Sequence, residues 1–252
     1  MERVRRPFQG VWNVVRFNWP FYLLSVGLTL LLLLSGRILD EPHRGCTTIA
    51  GLVLIGIALL SSLVTFYIYD LSGLYRLHWS GQCPPGACIV NIHAGFDETS
   101  ALLQERFPDS ELIVFDFFDP QRHTEASIRR ARNACPPFPG TRSMSTSNVP
   151  LPEGSADRIF VTLSAHEIRD SDERIAFFKA LKRCLKATGQ IVVTEHLRDL
   201  PNFLAYTIGF FHFLSVAAWN KTFREAELRI AAKCKTTPFI TTFVLEKHGT
   251  AS

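Results

Sequence analysis

The sequence predicts an α/β fold, a mostly parallel sheet covered by helices, standing behind a pair of apolar helices. Three observations predict it. From residue 87 onward, short β-branched runs alternate with helix-like segments, the pattern of strands joined by crossover helices. A small-residue turn follows the first run and an acid ends the second, which is the order of a nucleotide-binding half-unit. Two uncharged stretches, residues 18–36 and 47–69, precede all of this, and about 20 apolar residues are needed to cross a bilayer.

Those stretches divide the chain into a membrane anchor, residues 1–79, and a domain, residues 80–252. A secretory signal would also start basic and turn apolar, but the first stretch is long and no small-x-small cleavage site follows. Arg3, Arg5, Arg6 and Arg16 precede the first span, while Arg37 and Arg44 in the connecting loop are offset by Asp40 and Glu41. Positive charge stays inside, so the expectation is a multi-pass membrane protein with its domain on the cytoplasmic side. Six cysteines without C-x-x-C spacing agree with a reducing compartment and give no disulfide framework or zinc site. The net charge of +4 is mild, with no basic cluster interleaved with aromatics, so nucleic acid is not an expected partner.

Within the domain, a strand over 87–92 leads through His93-Ala94-Gly95-Phe96-Asp97 to a helix over 98–107, closed by Pro108. A second strand, 111–116, ends on Asp116. A helix over 124–134 starts at Thr124 as N-cap. Pro136, Pro137 and Pro139 break the chain before a short edge strand within 143–148. A strand over 158–163 precedes His166-Glu167, and Ile175, Phe178, Leu181 and Leu185 then fall at helical spacing, with Gly189 as the expected C-terminal stop. The strand 191–194 ends on Glu195-His196. The uncharged, aromatic segment 201–220 reads as one interfacial or lid helix, or as a core helix of the domain. A helix over 223–232 and strands over 232–235 and 238–246 close the chain.

The turn also selects its ligand. A dinucleotide needs G-x-G-x-x-G so that backbone touches a pyrophosphate; here only Gly95 is present, and Asp97 and Glu98 put carboxylates where phosphates would lie. S-adenosylmethionine has no phosphate and carries cationic sulfonium and amino groups, so an acidic turn suits it and disfavours a nucleotide-dependent oxidoreductase. Asp116 follows Gly95 at the interval, about 20 residues, from which an acid reaches ribose hydroxyls.

Four segments carry a family resemblance. IVNIHAG (89–95), ELIVFD (111–116), LPEGSADRIFV (151–161) and LKRCLKATGQIVV (181–193) are similar to motifs of the class I S-adenosylmethionine-dependent methyltransferases, the last being the most specific. The resemblance covers residues 87–247. It implies a Rossmann-like seven-stranded sheet whose final two strands form an antiparallel hairpin, with S-adenosylmethionine at the carboxyl ends of strands one, two and four. It places Asn91, His93, Gly95, Asp97, Asp116, Phe117 and Ser145 at the cofactor. Asn91 stands where the family has an acid, His93 replaces the first glycine of its turn and Asp97 the third. His166 and Glu167 follow strand four, where the fold puts substrate-facing groups; His166 is the candidate base and Glu167 its orienter, and Glu195 and His196 form a second such pair. A helix-entry pair satisfied by backbone would look the same in sequence. His78, His123, His212 and His248 have no partner at metal-ligand spacing, so no metal site is expected. The expected activity is methyl transfer to an apolar or membrane-associated small molecule, lipid or quinone-like. A catalytically inactive, membrane-tethered binding or scaffold protein would equally have lost its turn glycines.

Overall fold

The computed structural model describes residues 5–122 and 126–248, so Arg3, His123 and the N-cap expected at Thr124 lie outside it. A short amphipathic helix, α1 (Gln9–Phe17), precedes the first apolar stretch and meets it at 75°. That stretch is α2 (Trp19–Ser35), which packs antiparallel on α3 (His43–Phe66) as a hairpin. The helix containing α3 is long and apolar enough to cross a membrane, and α1 with α2 passes the same test if the bent pair is one span. Both helices leave their leucines exposed, Leu24, Leu31 and Leu63 among them.

From residue 67 the chain tightens into one π turn (Tyr67–Leu71) and two short 3₁₀ turns before the domain begins. The strands are β1 (Cys88–His93), β2 (Glu111–Asp116), β3 (Arg142–Ser143), β4 (Ala156–Thr162), β5 (Leu185–His196), β6 (Leu228–Lys235) and β7 (Ile240–Lys247). Among the described residues they form one sheet in the order β3-β2-β1-β4-β5-β7-β6. The first five pair in parallel; β7 runs antiparallel between β5 and β6. That is the seven-stranded sheet with a terminal hairpin which the resemblance implies. Successive residues point to opposite faces, and both faces are buried: Val90 and Ile92 pack with Phe177 and Phe178 on one, Ile89 with Phe107 and Phe160 on the other. Continuous apolar strands follow from that double cover.

The helices are α4 (Ser100–Arg106), α5 (Ala126–Ala134), α6 (Ser171–Cys184), α7 (Leu200–Tyr206) and α8 (Val216–Glu225). Three expectations need correction. Gly189 does not end α6, which stops at Cys184 because β5 starts at once; Gly189 lies in that strand, where a Cβ would stand 2.8 Å from the carbonyl oxygen of Ala156. Residues 201–220 are no single helix: α7 ends where Thr207 takes a φ of 49°, a 3₁₀ turn (Thr207–His212) follows, and α8 starts afresh with Ser215 accepting from the N–H of Ala218. The helix expected over 223–232 is accordingly α8 seven residues earlier, and its nominal second half is β6.

Candidate active site

The carboxyl ends of β1, β2, β4 and β5 meet along one edge of the sheet, and two side-chain clusters stand there. The first surrounds the β1 turn. Gly95 has a φ of 89°, a conformation open to glycine, and lets the chain double back after His93. Asp97 does two things. Its Oδ1 accepts from the N–H groups of Thr99 (2.9 Å) and Ser100 (3.0 Å), which starts α4; its Oδ2 is buried and has no hydrogen-bond partner. Asn91, fully buried, ties the same turn down through its amide nitrogen, to Thr99 Oγ1 at 3.0 Å and Ser100 Oγ at 2.8 Å. Its Oδ1 is likewise without a partner. His93 accepts from the N–H of Gly95 at Nδ1, so its proton sits on Nε2, another buried atom without a hydrogen bond. Burial lowers the His93 pKa, although Asp97 and Asp116 pull it up, and the ring is neutral.

Three orphaned atoms in one turn, two acceptors and one donor, fit a ligand that carries both an ammonium and a carboxylate. Buried polar groups are rarely left this way without a role. Asp116, at the end of β2, accepts from the N–H of Phe118 at Oδ1, and its Oδ2 is held by the guanidinium of Arg132 from α5. That guanidinium also covers Gly95, so the ground where ribose hydroxyls would meet Asp116 is taken by Arg132 in this state. Phe117 is buried in the core, and Ser145 is exposed and bonded to Ser147 within its own turn. Glu98, read from sequence as part of an acidic turn, is answered by Arg5 (2.7 Å), Asn13 (3.1 Å) and the hydroxyl of Tyr75 (2.5 Å).

The second cluster lines a cavity of about 280 Å³ under α1, with His93, Thr162, His166, His196, His212 and Phe213 in its wall. A larger hollow of about 740 Å³ between α1 and Pro136, Pro137 and Pro139 shares Asn13, Phe96 and Glu98 with it and is lined by Asp97, but by none of the strand-end histidines. Glu195 is fully buried behind that wall. Its Oε1 accepts from the N–H groups of Ser164 and His166, which turns Oε2 onto His166 Nδ1 at 2.7 Å. His166 Nε2 in turn lies 3.3 Å from Glu167 Oε1, and His212 Nε2 lies 3.6 Å from that same oxygen. Burial would lower the His166 pKa; the carboxylates of Glu195 and Glu167 outweigh it and raise it to about 10. Burial would raise Glu167, and its contacts with His166 and His212 overcome that to hold it well below the usual carboxylate range. His166 is therefore a cation in the free protein, unable to accept a proton until it has lost its own.

His196 is the opposite case. Burial drives its pKa down to about 4. The amide nitrogen of Asn202 donates to Asp199 and the Phe239 carbonyl, so Asn202 Oδ1 faces His196 and accepts from Nδ1–H at 2.9 Å. Nε2 then accepts from the Tyr69 hydroxyl at 2.9 Å. With both nitrogens engaged and its ring stacked 4.6 Å over Phe213, His196 shapes the wall.

A family model described as a methyltransferase domain matches residues 91–193, the span from the β1 turn through β5. The geranyl diphosphate C-methyltransferase of Streptomyces coelicolor A3(2), solved with Mg²⁺, geranyl diphosphate and S-adenosyl-L-homocysteine, superposes with a TM-score of 0.51 at 13% identity, covering 73% of this chain and 82% of that one. A complex of the Haloferax volcanii Trm112 methyltransferase activator with a putative methyltransferase gives 0.52 at 12% identity, over 73% and 92%. Among curated proteins, none matches the sequence. Residues 91–193 thus match a methyltransferase domain, and the sheet around them has the fold of the class I S-adenosylmethionine-dependent methyltransferases. The cofactor is S-adenosylmethionine and the reaction is methyl transfer.

In this methyltransferase the cofactor supplies an electrophilic methyl group, and the protein must hold donor and acceptor in line, which by itself accounts for much of such a rate. Asn91, His93 and Asp97, with their unpartnered atoms, would hold the amino-acid end of a bound cofactor, and Asp116 would take its ribose once Arg132 moved aside. The cavity beside them is walled by His166 and His212. Arg132 and Tyr69 carry no mark of the site in the sequence, and His212, set aside there for want of a partner at metal-ligand spacing, is brought by the fold to 3.6 Å from Glu167 Oε1. The first two are separated from their partners by 16 and 127 positions, and His212 has no local motif that would mark it.

Proposed function

We propose that this methyltransferase acts on an apolar small molecule resident in a bilayer, a lipid or quinone-like ring, from the cytoplasmic side of a two-span anchor. One observation carries the reading: the apolar surface of the anchor continues onto the domain. Beyond Leu60 and Val64 of α3 come Leu200 and Leu204 of α7, with an apolar hollow of about 300 Å³ between them. The turn after α7 then exposes Ile208 (83%) and Phe211 (61%). A water-facing helix gains nothing from such residues, whereas one at the head-group level buries them. His212 and Phe213, which follow at once, wall the cavity, so an acceptor travelling along this surface arrives at the site. The arginine pattern supports the orientation.

The test replaces Ile208 and Phe211 with Ser in the full chain, in nanodiscs. S-adenosylmethionine affinity by calorimetry should stay unchanged. Isotopically labelled methyl incorporation into membrane extracts, read by mass spectrometry, should fall at least tenfold. Equal incorporation by both proteins would refute a bilayer route. Cysteine labelling in residues 37–44 from outside and at the C-terminus from inside checks the orientation.

A further inference from the structure

We propose that His166, Glu167 and His212 form a binding site for a divalent transition-metal ion of the zinc type, with Glu195 positioning His166 behind it. The inference rests on reading the cavity under α1 as the acceptor site, and it adds a Lewis acid to that wall. Two imidazoles and one carboxylate converge, their nearest nitrogen and oxygen atoms lying within 4.8 Å of one another. Metal–ligand distances near 2.0–2.1 Å put neighbouring ligands of a tetrahedral ion about 3.3 Å apart. The edges from Glu167 Oε1 to His166 Nε2 and His212 Nε2 are 3.3 and 3.6 Å. The remaining edge closes when the His212 ring, only partly buried on its 3₁₀ turn, tips inward.

Three features distinguish this cluster from a surface group of acids. His166 and Glu167 are each 8% exposed. The second nitrogen of His166 is bonded to a carboxylate that is itself fixed by two backbone N–H groups, the arrangement that sets tautomer and direction in histidine–metal sites. Lastly, Glu167 and Glu195 bring two buried carboxylates to one imidazole. A proton on His166 answers one of them; a dication held by neutral imidazoles answers both. Imidazole with carboxylate favours zinc or a similar first-row ion over magnesium, which takes oxygen ligands.

Two changes accompany binding: the Nε2 proton of His166 leaves to solvent as the metal takes its place, and one contact of His212 rearranges. Arg169 Nη2 lies 3.1 Å from His212 Nδ1 and donates to it, which leaves the His212 proton on Nε2, towards Glu167. Metal at Nε2 moves that proton to Nδ1 and turns the exposed guanidinium aside; Arg169 retains the carbonyls of His166 and His212 as acceptors. The open coordination positions then face the cavity. An acceptor hydroxyl bound there would lose its proton more readily, to water at the cavity mouth and not to His166, and its oxygen would take the methyl group as the cofactor's S–CH3 bond breaks, leaving the thioether.

The experiment uses the full chain in detergent, treated with chelator and titrated with Co²⁺ as a spectroscopic probe and with Zn²⁺ in competition. The expected result is saturable binding of one equivalent, with a visible ligand-field band of a low-coordinate ion that Zn²⁺ bleaches. His212→Ala and Glu167→Gln should each weaken binding at least tenfold, while His78→Ala, a change on the exposed turn before the domain, should not. No saturable binding by the wild type, or binding unchanged in His212→Ala and Glu167→Gln, overturns the site. S-adenosylmethionine calorimetry on the same preparations shows that the variants are folded. Labelled-methyl incorporation by the wild type tests the acceptor reading separately, so the two inferences fail independently.

Discussion

At the residue scale, the cofactor site is a competition for one carboxylate. Asp116 is the acid that a ribose needs, and Arg132 already holds it as an ion pair in which the arginine is partly exposed and the aspartate nearly buried. Asp116→Ala should weaken S-adenosylmethionine binding by about 1.5–3 kcal/mol, the usual worth of hydrogen bonds to a charged group. Arg132→Ala should do the reverse and tighten it, because the cofactor no longer has to displace a guanidinium. Calorimetry of both variants checks the pair; an Arg132→Ala protein that binds more weakly would make the arginine a ligand contact instead. His196 gives a second prediction at this scale. Its folded pKa of about 4 lies below the unfolded value near 6.5, so the neutral ring stabilises the fold above pH 6.5, and that contribution is lost as the pH falls towards 4. The loss is about 3 kcal/mol for the depression involved. Denaturant midpoints between pH 7 and pH 4 should therefore fall more for the wild type than for His196→Gln, and parallel curves would contradict the assignment.

At the element scale, what was legible in the sequence followed burial. β2 was readable to the residue, as was the parallel order of strands, since runs such as 111–116 and 191–194 sit in a sheet covered on both faces and carry little but apolar side chains. Ends set by tertiary contact were not. Gly189 looks like a helix stop, yet it is there because a neighbouring strand's carbonyl leaves no space for a Cβ. The segment 201–220 looks continuous because no charge interrupts it, while the breaks at Thr207 and Ser215 depend on backbone torsion and a cap. α1 was hidden for a related reason. Nine residues are marginal as an isolated helix, and this one is held from a distance: Asp70, sixty positions on, accepts from the N–H groups of Gly10 and Val11 at 2.9 Å each. Arg130 of α5 donates to the Phe17 carbonyl at the other end (2.7 Å), and Phe17 meets Phe96 of the turn edge-on. The site was legible in the same proportion. Its strand-end members, His93, Asp116, His166 and Glu195, follow from the order of elements, whereas Arg132, Tyr69 and His212 arrive through helices and turns whose paths no local pattern specifies.

At the scale of the whole molecule, the segment after α3 and the sheet domain pack together across the boundary that composition draws at residue 79. Ile68 and Leu74 are buried against Ile240 of β7, and Leu77 against Ile89, Leu103 and Phe160. Tyr69 donates to the Nε2 of His196, and Tyr75 holds Glu98 at the turn. The segment that follows α3 thus forms part of the cavity wall, through Tyr69 and Tyr75. A fragment starting at Ser80 would leave those apolar surfaces in water, at about 1.5–3 kcal/mol for each large side chain removed from its contacts. It would also lose the hydrogen bond from Tyr69 to His196 Nε2, about 0.5–1.5 kcal/mol more. Against a total stability of about 5–15 kcal/mol for an ordinary domain, that is a large fraction. The fragment 80–252 should therefore unfold at lower denaturant than one starting at residue 64, which keeps the π turn and both 3₁₀ turns while omitting most of the hairpin. The 80–252 fragment should also bind S-adenosylmethionine more weakly than the longer one, because the strand-end edge loses Tyr69 and Tyr75 from its wall. Denaturation of the two fragments under the same conditions decides the point. Equal midpoints would mean that residues 68–79 only tether the domain; a lower one for the shorter fragment would mean that the anchor completes the enzyme's active site.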